Sequence, residues 1–146
     1  MKRDYIIYPS MVGAHSGVIW SYNKSDVVLT FDMNNPLTVS TSQCNDLTFC
    51  LWYVSPLRSL NDSLGIHYAL LGELNKWTAV SQQRYTSIVS DAKHNQAVIT
   101  IEGVSSEMIS VAVFHSKLHS VTVNCHITAS SREAQIVITP TNVTCY

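Results

Sequence analysis

Charge is scarce in this chain. Only 13% of its residues are Asp, Glu, Lys or Arg, about half the usual share, and the formal net charge is −1. No basic stripe is available to meet a phosphate backbone, which excludes nucleic acid as a partner class. Neither an acidic nor a basic tail is present. Glycine is rare as well, with 5 residues in 146. No Gly-rich phosphate loop and no Gly-x-Ser-x-Gly nucleophile elbow occur. The absence of a Cys-x-x-Cys pair removes support from zinc-ribbon and thiol-redox readings. Apolar runs are short: residues 49–54 fall far below the about 20 needed to span a bilayer as a helix. Residues 1–10 open with Lys2 and Arg3 but carry no apolar region behind them, so they do not read as a signal peptide.

What remains is an apolar chain whose polar positions are filled by Ser and Thr. Hydrophobic residues make up 46% and the mean hydropathy is +0.10, ample for a packed core of one ordinary domain spanning residues 1–146. Period-two alternation dominates the second half. Ala97, Ile99 and Ile101 share one face of a run, and Val98, Thr100 and Glu102 the other. Ile109, Val111 and Val113 oppose Ser110, Ala112 and Phe114. Val121, Val123, Cys125 and Ile127 oppose Ser120, Thr122, Asn124 and His126. Alternation with β-branched residues on one side means half-buried strands, and the short connections make them antiparallel neighbours.

Earlier in the chain the same reading predicts an edge strand over residues 5–8 ended by Pro9, and a strand over 27–33 followed by a turn at Asn34-Asn35-Pro36. Residues 47–54 are apolar on both faces and read as a central strand ended by Pro56, with Trp52 and Phe49 in the core. Residues 55–65 read as irregular. Residues 68–73 and 85–89 read as strands, with a helix over 70–77 as the alternative, and residues 134–139 as a last strand. Nine to eleven short strands at roughly ten-residue spacing predict an all-β antiparallel β-sandwich. Its general architecture is immunoglobulin-like, but the immunoglobulin Cys/Trp signature is absent: Trp52 follows Cys50 by two, and Val123 stands where the Tyr before the second Cys belongs.

The four cysteines, Cys44, Cys50, Cys125 and Cys145, allow three connectivities. The favoured pairing is Cys44–Cys50 with Cys125–Cys145, against four buried thiols as the competing reading. Sequons at Asn23, Asn61 and Asn142 point with the disulfides to the extracellular or secretory compartment. The chain then reads as a processed domain or as a module of a longer secreted protein.

Catalytic constellations are weak. His115, His119 and His126 near Cys125 do not form a tetrahedral four-ligand set, and surface histidines are the competing reading. Glu102 and Glu107 flank a Gly103-Val104-Ser105-Ser106 loop, but no acid–base pair is recognisable in the ten carboxylates. No metal or other cofactor is implied, and the expectation is a protein that is not an enzyme.

Aromatics are the usable feature. Trp77, beside Asn75 and Lys76, is the first candidate for an exposed ring, and Trp20 with Tyr22 the second. An exposed indole offers a face to sugar C–H groups or anchors a protein interface. The run 96–127 resembles in its strand–loop–strand–turn–strand pattern the non-catalytic β-sandwich modules at the C-terminal ends of secreted glycosidases. That resemblance covers roughly the last third of the chain. It implies a non-catalytic accessory module that binds carbohydrate or glycoprotein; the alternative is an extracellular structural or adhesive domain working through protein contact.

Overall fold

The computed structural model describes residues 4–9, 28–30, 34, 36, 52–91 and 93–146. These residues form eleven strands and no helix: β1 (Asp4–Pro9), β2 (Val28–Thr30), β3 (Trp52–Pro56), β4 (Arg58–Asn61), β5 (Ile66–Glu73), β6 (Tyr85–Asp91), β7 (Gln96–Glu102), β8 (Met108–His115), β9 (His119–His126), β10 (Glu133–Thr139) and β11 (Asn142–Cys145). From β4 onward the chain runs as four successive hairpins that alternate between two four-stranded antiparallel sheets. The hairpins β4–β5 and β8–β9 build a middle sheet in the order β4-β5-β8-β9, and β6–β7 and β10–β11 build a far sheet in the order β11-β10-β7-β6.

The two sheets are a β-sandwich, and the alternation that predicts it is also what fills it. Ile99, Ile101, Ile136 and Ile138 from the far sheet meet Ile66, Tyr68, Ile109, Val111, Val113, Val123 and Ile127, all buried. The opposite faces of β7 and β10 carry Val98, Thr100, Gln135 and Val137, half-buried or exposed. Val121 is half-buried at the margin of this core. The disulfide Cys125–Cys145 joins β9 to β11 across the sheets, with Cα atoms 5.3 Å apart. Cys44 and Cys50 lie outside the described residues.

A third sheet, in the order β2-β1-β3, covers the outer face of the middle one. Ile6 and Tyr8 pack there on Ala69, Leu71, Ala112 and Phe114. β5 is consequently buried on both faces along most of its length. Several sequence expectations are corrected by this layer. Residues 5–8 belong to the middle strand of their sheet, not to an edge. The run 47–54 is described only from Trp52, where it forms an edge strand that continues through Pro56, and Val54 is exposed. The strand apolar on both sides is β5, because it separates two cores. Residues 58–61 form a strand with Leu60 buried, where irregular chain is expected. Residues 70–73 complete β5, which overturns the helix alternative.

His115 is another correction: it is a buried residue, not a surface one. Its Nε2 lies 3.1 Å from the Thr139 carbonyl, and the backbone N–H groups of Lys117 and Leu118 donate to Nδ1 at 3.1 and 3.2 Å. A carbonyl only accepts, so Nε2 carries the proton and Nδ1 is the acceptor. The neutral ring thus ties the β8–β9 turn to the far sheet. Burial pushes its pKa below the ordinary 6.5, and the Lys117 charge acts in the same direction. The unfolded chain therefore binds the proton first as pH falls. Stability is fully present above about 6.5 and is lost as pH falls from there towards the folded value. Urea midpoints are expected to drop between pH 7 and 5.5 while the His115 ring resonances in NMR stay neutral at pH 6.5. A His115 ring that titrates at or above 6.5 contradicts this.

Candidate functional site

The loop between β5 and β6, residues 74–84, is where the exposed aromatic sits, and β5 sets it up. Gly72 has φ +105° at a bulge in the pairing of β5 with β8. A Cβ at this position would collide with the Ala79 carbonyl, so glycine lets the returning loop lie directly on the strand. Around the bulge, the Leu70 carbonyl accepts from Ser55 Oγ at 2.6 Å and the Leu71 carbonyl accepts from Tyr8 Oη. Burial raises the Tyr8 phenol well above its ordinary range, which keeps it a donor.

The loop is pinned by its backbone. Glu73 N donates to Ala79 O at 2.7 Å, and Leu74 N to Ser110 O at 2.9 Å. Tyr53 Oη donates to Trp77 O at 2.6 Å. Ala79 is buried. Against this fixed frame the Trp77 side chain is left 63% exposed, with Asn75 and Lys76 exposed beside it. Asn75 takes φ +60°, which an asparagine adopts more readily than most residues. Lys76 Nζ lies 3.7 Å from Glu73 Oε1.

Arg84, at the far end of the same loop, was not singled out by any sequence motif. Its Nη1 and Nη2 make a two-pronged contact to Glu107 at 2.9 and 2.7 Å, Nε donates to Glu73 at 3.2 Å, and Nη1 donates to the Glu102 carbonyl at 2.7 Å. The hydrogen bond to Glu107 is the largest reason that the guanidinium pKa rises; the same bond from Arg84 holds the Glu107 carboxyl below its usual range, helped by the Val104 N–H. Glu107 is therefore held in its charged form by the arginine it faces. Gly103 makes the cluster fit: a Cβ there would sit 2.6 Å from Glu107 Oε2 and 2.9 Å from Arg84 Nη1.

Between the two loops lies an open depression of about 430 Å³, walled by Ser81, Gln83 and Arg84 on one side and by Glu102, Gly103, Val104 and Glu107 on the other. A second depression of about 270 Å³ lies at the β4–β5 and β6–β7 turns, lined by serines with Asn61, Asp62 and Asn95.

The remaining candidates are dispersed. Trp20, Tyr22 and Asn23 lie outside the described residues. Asn61 is half-buried; its Nδ2 donates to Asn95 Oδ1 and its Oδ1 accepts from Leu64 N. Asn142 is exposed at the start of β11. His115 and His119 are register partners at one end of β8–β9, whereas His126 pairs with Met108 at the other end. Among the described residues no three His, Cys, Asp or Glu side chains gather into a metal-holding group. None of the described residues forms a helix long and apolar enough to cross a membrane. Comparison with protein-family models, with curated proteins and with solved structures finds no match for this chain.

Proposed function

We propose that this chain is a non-catalytic binding module, an accessory β-sandwich domain of a longer secreted protein such as a glycosidase, and that it binds carbohydrate or the glycan of a glycoprotein through Trp77. The observation that carries the reading is the contrast between the side chain and its frame: an indole 63% exposed on a loop whose backbone is tied down on both sides of it. A large ring left in water costs free energy unless something covers it, and a preformed frame spares the ordering cost of binding. Asn75 and Lys76 supply amide and ammonium groups next to the ring, the companions that sugar hydroxyls need. The Cys125–Cys145 disulfide fits an oxidising compartment.

A second reading is an extracellular structural or adhesive domain that works by protein contact. Val80, 43% exposed on the same loop, supports it, since two exposed apolar side chains on one loop suit an interface anchor.

A glycan array combined with intrinsic Trp fluorescence separates the two. Trp77→Ala is expected to abolish glycan binding and to shift stability by no more than about 0.5 kcal/mol, as surface substitutions do. If no glycan binds, and Trp77→Ala costs the about 3–5 kcal/mol typical of a core Trp, the platform reading is wrong.

A further inference from the structure

The depression between the β5–β6 and β7–β8 loops is not used by the Trp77 platform, yet one loop carries both. Its charges bear on what it accepts. One cation, Arg84, stands with two carboxylates, Glu102 and Glu107, which leaves a net charge of −1 over the lining. A guanidinium has five N–H donors. Four of those of Arg84 are engaged, by Glu73, the Glu102 carbonyl and both Glu107 oxygens, which leaves one N–H on Nη2. A carboxylate or sulfate ligand would therefore find an arginine with a single N–H to offer and the exposed Glu102 carboxylate beside it. Hydroxyl groups, which both donate and accept, find a better set. Glu102 is exposed and its carboxylate is a strong acceptor, Gln83 is exposed and offers amide donor and acceptor, and Arg84 lines the same depression with one N–H not engaged by these bonds. Gly103 leaves room for the Arg84–Glu107 pair to pack against the depression wall.

We infer that this depression is a second subsite of the Trp77 surface and that the ligand is a neutral sugar, not a sialylated or sulfated one. This rests on the carbohydrate reading above. Trp77 stacks on one ring of an oligosaccharide, and Gln83, Glu102 and Arg84 meet the hydroxyls of another. The Arg84–Glu107 pair has a positioning role as well, since it fixes the two walls against each other.

The test uses an array holding neutral, sialylated and sulfated forms of the same core glycans, read with the wild-type chain and with Gln83→Ala, Glu102→Gln and Trp77→Ala. Neutral glycans are expected to bind, with their acidic forms at least about tenfold weaker. Gln83→Ala and Glu102→Gln are each expected to weaken neutral binding about tenfold, the loss of one hydrogen bond to a charged or amide group, with an unchanged unfolding midpoint because both side chains are exposed. A preference for acidic glycans overturns the inference. So does neutral binding that Trp77→Ala removes but both depression variants leave untouched; in that case the platform stands and the subsite does not. If the wild-type chain binds no glycan of any class, the platform reading fails and the subsite with it.

Discussion

Gly72→Ala is expected to destabilise the domain by about 2–5 kcal/mol. The backbone at this position has φ +105°, a region that costs an L-residue about 1–2 kcal/mol, and the added methyl meets the Ala79 carbonyl, an overpacking term of about 1–3 kcal/mol. The carbonyl cannot simply withdraw, because it accepts the Glu73 N–H at 2.7 Å. Against a total of about 5–15 kcal/mol for an ordinary domain this is a large share. A shift in the urea midpoint measures it. Loss of that midpoint by less than about 1 kcal/mol would mean that the loop peels away from β5 at little cost, and Trp77 would then lack the fixed frame on which its role depends.

Reducing the Cys125–Cys145 disulfide is expected to cost about 3 kcal/mol. The bond closes a segment of sequence separation 20, and a loop of this length loses about that much entropy in the unfolded chain when it is cross-linked. The bridge also links two edge strands, β9 of the middle sheet and β11 of the far sheet. The Cys125→Ser/Cys145→Ser double variant, compared with the wild-type chain in guanidinium without reductant, isolates this bond from Cys44 and Cys50. An unchanged midpoint would mean that the shared core, with Val123 of β9 and Val143 of β11 in it, holds the two strands without the bond.

Why some of this was legible in the sequence and some was not has a physical reason. A sheet with one covered face writes its burial as period two, and β7, β9, β10 and the first half of β8 do so: Ile99, Val123, Ile136 and Ile109 stand where the alternation puts them, whereas Ala112 and Phe114 of β8 are buried under the third sheet. β5 does not, because the third sheet covers its second face and Ala69 and Leu71 are buried with Tyr68 and Leu70. A stretch apolar on both faces reads equally as helix or strand. β4 was hidden by its polar face: only Leu60 marks it. Local separation made the Cys125–Cys145 pair readable, and a turn setting with polar neighbours made Trp77 readable as exposed. Arg84 left no trace, because its partners Glu73 and Glu107 are 11 and 23 residues away and come together only through strand pairing. His115 looks like one more turn histidine until β10 brings the Thr139 carbonyl to it.

Titration of the ¹⁵N-labelled chain with a neutral oligosaccharide, followed by amide and indole NMR shifts, tests the central claim most directly. Saturable shifts are expected at the Trp77 indole N–H and at the amides of Asn75, Gln83 and Gly103, on one binding curve. No shift with any sugar, or shifts confined to other faces of the sandwich, would contradict the account.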